Sequence, residues 1–194
     1  MAGIGVFGGT FDPIHVGHLV TAVNVRHALD LDRVLLVVAS DPWQKLGTVV
    51  AAAEDRLAMV AASVAGVPGL EASDLEVRRG GSSYTADTLL ELRASDPGTP
   101  LFVILGSDAA ALLDTWDRGE EVAAGATVVV VRRPGAEAAA PPAGWSYTTV
   151  EVPFLEVSST DLRARAADGR PLDYLVPEPA VRLIRERRLY GAGR

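Results

Sequence analysis

Two histidines stand three residues apart in a glycine-rich segment near the start of the chain, Gly8 to His18, which reads GGTFDPIHVGH. This spacing places the imidazoles of His15 and His18 on one side of a helix turn, and Gly17 between them has no side chain to block approach. Pro13 fixes φ before the turn, and the free N–H groups at a helix start attract anions. We therefore expect an anion site, with phosphate as its natural ligand.

The glycines before this turn favour the same interpretation over three other sites. Gly8 and Gly9 are expected in a loop, where a residue without Cβ lets the backbone turn sharply and approach a ligand. Gly3, Gly5 and Gly8 match the letters of G-x-G-x-x-G, but the first two fall inside a predicted strand, which disfavours a dinucleotide redox site. The Walker motif does not occur, and a zinc site would need a further carboxylate because the chain has three histidines and no cysteine.

A second segment with phosphate-binding residue types, Ser158 to Arg163, lies near the other end of the chain and reads SSTDLR. Ser158 and Asp161 have the spacing of a capping box, which predicts a helix start with exposed N–H groups and hydroxyls. Arg163 is expected within the first turn, where its guanidinium could hold phosphate oxygens. Alone, this pattern is typical of a plain helix cap. Paired with the first segment, it predicts the second half of a polyphosphate site.

The elements that position these residues alternate between short apolar runs and helical patterns, which is typical of an α/β fold with a parallel sheet. We predict a single Rossmann-like domain over residues 1–194, doubly wound, with a small helical part at its C-terminal end. The predicted strands are Gly3–Phe7, Arg33–Ala39, Leu70–Val77, Leu101–Leu105, Thr127–Val131 and Tyr147–Val152. The predicted helices are Val16–Leu29, Ala53–Ala65, Ala86–Ala94, Ala109–Asp114, Asp161–Ala167 and Pro179–Arg188. The low-complexity stretch Pro134 to Gly144 is expected to be a surface loop.

Composition excludes several classes of protein. Of 194 residues, 48% are hydrophobic and 22% are charged, which suits a globular core and excludes global disorder. Apolar runs are too short to span a membrane. The formal charge of −7 disfavours nucleic-acid polymers as partners, although a local cationic pocket still suits a small anion. With no cysteine and no charged start of a secretory signal, a cytoplasmic protein is expected. A homo-oligomer is compatible with the sequence.

The two segments together resemble the paired signatures of the nucleotidylyltransferase superfamily. Within it, the chain is similar along nearly its whole length to the bacterial nicotinate-nucleotide adenylyltransferases of NAD biosynthesis. This resemblance extends to further stretches of the sequence: Ser83 to Leu89, Gly106-Ser107-Asp108 followed by Trp116, Arg133-Pro134-Gly135, and Tyr174 to Pro177 with Leu189-Tyr190. It implies a sheet whose first strands are ordered 3-2-1-4-5.

The resemblance implies that the phosphate of nicotinate mononucleotide attacks the α-phosphorus of ATP, giving nicotinate adenine dinucleotide and pyrophosphate. No covalent enzyme intermediate is expected. Mg²⁺ is implied as a cofactor held mainly by the ATP phosphates and water, so no metal ligand is expected from the protein. Catalysis would rest on holding two anions together and stabilising the charge that is transferred.

The same resemblance implies roles for individual residues. His15, His18 and Arg163 would be catalytic, with His18 nearest the α-phosphate. ATP contacts are implied for Gly8, Gly9, Thr10, Phe11, His15, His18, Gly106, Asp108, Ser158, Ser159, Thr160 and Arg163. Contacts to the acceptor are implied for Lys45, Tyr84, Thr85, Asp108, Trp116 and Arg133. Trp116 would stack on the pyridine ring, and the helix start at Tyr84 and Thr85 would meet the nicotinate carboxylate, which favours the acid over the amide.

Two departures from the family pattern affect the acceptor side. Ser82 stands where members often carry proline, which weakens the expected rigidity of the loop before Tyr84. The segment Asp41 to Lys45 lacks the histidine of the usual Pro-Pro-His-Lys, although its lysine is retained. Two rivals stay open: another member of the superfamily, such as a phosphopantetheine adenylyltransferase or a cytidylyltransferase, and a nucleotide sensor without turnover.

Overall fold

One parallel sheet forms the centre of the molecule. The structure is a computed structural model that describes residues 3–41, 50–132, 140–153 and 155–192. Within these ranges the strands are β1 (Ile4–Gly9), β2 (Arg33–Val38), β3 (Leu70–Ser73), β4 (Leu101–Gly106), β5 (Thr127–Arg132) and β6 (Tyr147–Glu151). Every neighbouring pair is parallel, in the order β3-β2-β1-β4-β5-β6. The α/β class and the order of the first five strands are confirmed.

Helices connect the strands and cover the sheet. In the described part of the chain they are α1 (Val16–Ala28), α2 (Ala53–Val64), α3 (Leu75–Arg79), α4 (Thr85–Ser95), α5 (Ser107–Ala110), α6 (Gly119–Gly125), α7 (Ser159–Ala167) and α8 (Glu178–Glu186). Short 3₁₀ turns occur at Leu113–Thr115 and Leu189–Gly191. None of the described helices is long and apolar enough to span a bilayer.

The third predicted strand is wrong at its C-terminal end. The strand predicted over Leu70–Val77 ends at Ser73, and Leu75–Arg79 forms α3 instead. Ser73 Oγ accepts from the N–H of Leu75 at 3.5 Å, so the polar pair Ser73-Asp74 turns the chain out of the sheet. In the sequence, apolar residues stand on both sides of this pair, at Leu70, Ala72, Leu75 and Val77, but the pair breaks their alternation.

The region after β4 also differs from the prediction. The helix expected over Ala109–Asp114 is divided: α5 starts earlier, and the chain then tightens into the 3₁₀ turn Leu113–Thr115. Helix α6 was not predicted. It starts from Arg118 in the left-handed region, at φ 50°, and no typical N-cap residue marks its start.

The core lies on both faces of the sheet, as strands buried on two sides require. Along β2, Val34, Leu36 and Val38 pack into one cluster, and Leu35 and Val37 into the other. The first cluster includes side chains of α1, α2, α7 and α8, and the second includes side chains of α4 and α6. The C-terminal helices therefore share the core of the sheet.

The chain reverses its direction of winding between β1 and β4, which are neighbours in the sheet. Ile4 of β1 pairs with Arg33 on one side and with Leu101 on the other. Open α/β sheets form a ligand crevice at such a point, beyond the carboxyl ends of the strands. Gly9 and Gly106 end β1 and β4, so the first signature segment begins at this crevice.

Candidate active site

The glycines of the first signature belong to the strand and not to the loop after it. Gly8 and Gly9 are the last residues of β1, and neither has a positive φ. The sharp turn that was expected at the glycines is made by Phe11, with φ 49°. A Cβ on Gly9 would lie 2.8 Å from Cζ of Phe11, so this glycine provides space for the buried ring. A Cβ on Gly8 would meet nothing within 4 Å, which leaves its backbone open to a ligand.

The two histidines lie against each other at the start of α1, as their spacing predicts. Their ring centroids are 3.6 Å apart, with an angle of 23° between the planes. The backbone N–H of His15 donates to Nδ1 of His18 at 3.2 Å. Gly17 is required for this arrangement, because a Cβ there would lie 3.0 Å from Nδ1 of His15.

His15 is the more buried of the pair. Desolvation by burial lowers the pKa of its imidazole to about 4, so the ring is neutral near pH 7. Its Nδ1 has no hydrogen-bond partner among the described residues. A neutral imidazole can donate or accept hydrogen bonds through its ring nitrogens, and it adds no charge to the site.

The start of α1 offers fewer free N–H groups than the sequence suggests. The N–H of Val16, the first residue of the helix, donates to the carbonyl of Leu175 at 3.0 Å. The expectation that this group faces an anion is therefore wrong. The C-terminal part of the chain occupies it instead, and this contact also holds α1 against the region before α8.

The second signature packs directly onto the first. Nη1 of Arg163 donates to the carbonyl of Asp12 at 2.8 Å, and Oγ of Ser159 donates to the carbonyl of Pro13 at 3.0 Å. Ser158 caps α7, since its Oγ accepts from the N–H of Asp161 at 3.2 Å. The predicted meeting of the two segments is thus observed. Arg163 was expected within the first turn of α7, but it lies one residue beyond that turn.

Asp12 joins these segments to two further parts of the chain. Its carboxylate accepts from the N–H groups of Val50 at 2.9 Å and Ala51 at 3.1 Å, and from the hydroxyl of Tyr190 at 2.8 Å. Nη1 of Arg163 lies 3.7 Å from its Oδ2. Asp12 is 3% exposed. Its role could not be predicted from the sequence, because its partners lie far away along the chain.

Arg56 was also missed. It lies on α2, is 1% exposed, and donates to the carbonyls of Thr10 at 2.7 Å, Ala51 at 3.1 Å and Ser40 at 3.1 Å. Burial lowers the pKa of its guanidinium, and the nearby charge of Asp12 opposes that shift. Its donors are directed at backbone carbonyls, so Arg56 holds the loops around the crevice in place.

A cavity of about 260 Å³ opens beside the first signature. Its walls include backbone from the phosphate segment and side chains from the predicted acceptor contacts: Gly8, Gly9, Thr10, Tyr84, Thr85 and Trp116. The indole Nε1–H of Trp116 is buried and has no acceptor among the described residues. The structure therefore brings three of the six predicted acceptor contacts to the segment that carries the histidines.

The loop before Tyr84 is held although it lacks the usual proline. Ser82 forms a bridge with Asp41, the N–H of Ser83 donates to the carbonyl of Asp41 at 3.1 Å, and Oγ of Ser83 accepts from the N–H of Ser40 at 2.9 Å. Backbone pairing with the end of β2 thus replaces the stiffness expected from proline.

The remaining predicted residues divide into two groups. Gly106 ends β4 at the crevice, and Asp108 follows on the first turn of α5, where both are exposed. Lys45 and Arg133 lie outside the described residues, as do most of the departing segment Asp41 to Lys45 and part of the low-complexity stretch.

Comparison with known proteins gives a consistent result. A family model described as cytidylyltransferase-like matches residues 6–165. A protein of Streptomyces coelicolor named "Probable nicotinate-nucleotide adenylyltransferase" is 47% identical over 186 residues, covering 94% of this chain and 98% of the relative. A protein of the same name from Corynebacterium kroppenstedtii is 45% identical over 190 residues, covering 96% of this chain and 90% of the relative.

Solved structures agree on the fold. The nicotinic acid mononucleotide adenylyltransferase of Plasmodium falciparum, complexed with NaAD, superposes with a TM-score of 0.79 at 19% identity and covers 98% of both chains. The similarity in sequence extends over the whole crevice, from the first signature to the C-terminal helices. The chain therefore belongs to the cytidylyltransferase-like family and, within it, to the nicotinate-nucleotide adenylyltransferases.

Proposed function

We propose that this protein transfers AMP from ATP to nicotinate mononucleotide. A phosphate oxygen of the mononucleotide forms a bond to the α-phosphorus of ATP as the bond from that phosphorus to the bridging oxygen breaks, and pyrophosphate leaves. The observation that carries the proposal is the contact of the two signature segments, through Arg163 and Ser159, beside the cavity that contains Trp116.

The phosphate end of the site would act through hydrogen bonding and charge. His18 and Arg163 would stabilise the negative charge that moves to the leaving pyrophosphate, which is an electrostatic role for pre-positioned donors. The ring of His15 would donate a hydrogen bond to the phosphates and, because it is neutral, would add no positive charge to the site. Backbone groups of Gly8, Gly9, Thr10 and Phe11, together with Gly106, Asp108, Ser158, Ser159 and Thr160, complete the proposed ATP contacts.

The acceptor end would select the pyridine ring and its carboxylate. Trp116 would stack on the ring, and its unpaired Nε1–H is a donor for a ligand oxygen. Tyr84 and Thr85 stand at the start of the eleven-residue helix α4, whose dipole favours an anionic carboxylate over a neutral amide. Lys45, Asp108 and Arg133 stay proposed contacts to the acceptor.

Mg²⁺ is proposed as the cofactor. The described residues include no group of three or more histidine, aspartate or glutamate side chains that could hold a metal ion. The ion would be carried mainly by the phosphate oxygens of ATP and by water, with no ligand from the protein. When bound, Mg²⁺ would neutralise charge on the triphosphate.

The experiment is a competition assay with ATP and Mg²⁺ in which nicotinate mononucleotide, nicotinamide mononucleotide and phosphopantetheine are offered together. We expect release of pyrophosphate with nicotinate adenine dinucleotide as the main product. Formation of dephospho-coenzyme A would instead favour the other superfamily member. Binding of ATP without release of pyrophosphate would favour the nucleotide sensor.

A further inference from the structure

A buried carboxylate lies in the wall of the acceptor cavity, and none of the roles above uses it. Glu76 belongs to the short helix α3, is 8% exposed, and lines the cavity together with Thr85 and Trp116. Burial penalises the charge of a carboxylate unless hydrogen bonds compensate, so Glu76 needs compensating partners in this wall.

Hydroxyl groups supply this compensation. Oγ1 of Thr88 donates to Oε1 of Glu76 at 2.6 Å, and the nearby hydroxyl of Ser83 also acts to lower the pKa of the carboxyl. Nη2 of Arg79 donates to Oγ1 of Thr88 at 3.2 Å, and its Nη1 donates to Glu91 at 2.6 Å. Burial raises the pKa of Glu76, and these hydroxyls and Arg79 act against that shift.

The two hydroxyl residues lie on either side of the start of α4. Ser83 immediately precedes Tyr84, the N-cap of α4, and is held to the end of β2 through Ser40. Thr88 stands one turn into the same helix. A carboxylate only accepts hydrogen bonds, so the hydroxyl of Thr88 must donate towards Glu76. Oγ of Ser83 accepts from the N–H of Ser40, which leaves its proton available for the carboxylate.

We propose that Glu76 is a positioning residue for the acceptor substrate. Through Ser83 and Thr88 it holds the start of α4, with the backbone of Tyr84 and Thr85, at the wall of the cavity where the nicotinate carboxylate is to bind. The inference rests on the proposed function for the identity of the acceptor. Glu76 acts on the binding of the acceptor and leaves the binding of ATP unchanged.

The test is steady-state kinetics of Glu76→Gln with each substrate varied in turn. The amide keeps the volume of the side chain but presents a donor to one of the two hydroxyls. We expect KM for nicotinate mononucleotide to rise roughly tenfold, with KM for ATP and kcat within about twofold of wild type. Since removal of a negative charge near an anionic ligand would by itself lower that KM, the sign of the change separates positioning from simple repulsion.

Thr88 provides a second pair of variants that does not alter charge. Thr88→Val removes the hydroxyl and should raise KM for the acceptor as Glu76→Gln does, whereas Thr88→Ser restores the hydroxyl and should return KM to near the wild-type value. Glu91→Gln is the matched control, because Glu91 contacts Arg79 without touching either hydroxyl. Its KM values should stay within about twofold of wild type.

Failure of this inference is distinct from failure of the proposed function. If wild type makes no nicotinate adenine dinucleotide, the proposed function is wrong. If wild type turns over and Glu76→Gln has an unchanged or lower KM for the acceptor, or raises both KM values equally, Glu76 has no positioning role. If Glu76→Gln does not fold, the contrast between Thr88→Val and Thr88→Ser decides the question, and equal KM values for these two overturn it.

Discussion

The phosphate end of the site and the acceptor cavity are built by contacts of very different range. At the phosphate end, Asp12 and Pro13 bind Arg163, Ser159 and Tyr190, which lie 146 to 178 residues away in the chain. In the cavity wall, Glu76 binds Thr88, which lies 12 residues away.

This difference determines how each end should respond to substitution. The phosphate end joins the first and last parts of the chain, so its buried groups stabilise the whole fold while they shape the site. The polar network of the cavity wall connects only α3 to α4 and the end of β2. We expect changes at the phosphate end to couple catalysis with stability, and changes in the cavity to affect one substrate.

The largest expected effect on catalysis is that of His18→Ala. If His18 donates to the negative charge that moves to the leaving pyrophosphate, kcat should fall by roughly 10²–10³-fold, or about 3–4 kcal/mol. Single-turnover formation of nicotinate adenine dinucleotide measures this, with a thermal transition as the control for folding. Turnover at nearly the wild-type rate would mean that His18 has another role.

The largest expected effect on stability is that of Asp12→Asn. An amide NH₂ would then face one of the donors from Val50, Ala51 or Tyr190, which leaves a buried donor unpaired beside Arg163. We expect the free energy of unfolding to fall by about 3 kcal/mol in urea titration.

Asp168→Asn is the matched control for this substitution. Its carboxylate is 63% exposed and, among the residues that the structure describes, pairs with Arg170 at the surface, so the change should be below about 0.5 kcal/mol. Equal losses for the two variants would show that Asp12 does not hold the phosphate end together.

His15 makes the stability of the phosphate end depend on pH. Its pKa falls from 6.5 in the unfolded chain to about 4 in the fold, so the unfolded state binds the proton first as pH decreases. The contribution of the neutral ring to the free energy of unfolding is fully present above pH 6.5 and is lost as pH falls towards 4. Between pH 7 and pH 5 the protein should lose about 2 kcal/mol of stability through this group.

His15→Gln isolates this contribution in urea titrations at several pH values. Glu76, whose pKa is raised, acts in the opposite direction, because its protonation favours the fold as pH falls. That background is the same in wild type and variant, so the variant should lose less stability on acidification. Parallel pH profiles for the two proteins would contradict the burial of a neutral His15.

In the cavity, Trp116→Ala should affect a single substrate. Loss of ring stacking should raise KM for nicotinate mononucleotide roughly tenfold, with KM for ATP nearly unchanged. Trp116→Phe keeps a stacking surface and should recover most of the loss. Equal increases for both substrates would identify a structural tryptophan and would remove the contrast between the two ends.

The same contrast in contact range explains what the sequence could predict. The two signatures were identified because each is a local pattern of residue types, and their meeting in space was predicted because both patterns suit phosphate. Asp12 stood within the first signature, yet its importance depends on Val50 and Tyr190, which no local pattern connects to it. Arg56 was missed for the same reason. It donates to the carbonyls of Thr10, Ser40 and Ala51, in the connections that follow β1 and β2, and the sequence does not show which carbonyls an arginine binds.

Glu76 was missed for a different reason. The strand predicted over Leu70–Val77 would have placed it within the sheet, whereas the turn at Ser73 carries it onto α3 and into the cavity wall. The acceptor side chains Tyr84, Thr85 and Trp116 were predicted to lie together, and they do line one cavity. Because the predicted strand end was wrong by four residues, the sequence did not predict that the carboxylate of Glu76 lines the same cavity.

The smallest expected effect is that of Tyr190→Phe, which removes one of the three hydrogen bonds that the described residues make to the carboxylate of Asp12. Because the two backbone donors remain, the fold should lose only about 1 kcal/mol in urea titration. Because Tyr190 belongs to the last turn in the described part of the chain, this loss measures how strongly that C-terminal turn supports the phosphate end.

Tyr174→Phe is the control, since Tyr174 is 95% exposed. Its free energy of unfolding should stay within about 0.5 kcal/mol of wild type. In the double variant Asp12→Asn with Tyr190→Phe, the two losses should not add, because both substitutions disrupt the same contact. Additive losses would mean that Tyr190 stabilises the fold independently of Asp12, and the two ends of the chain would then not be coupled through this carboxylate.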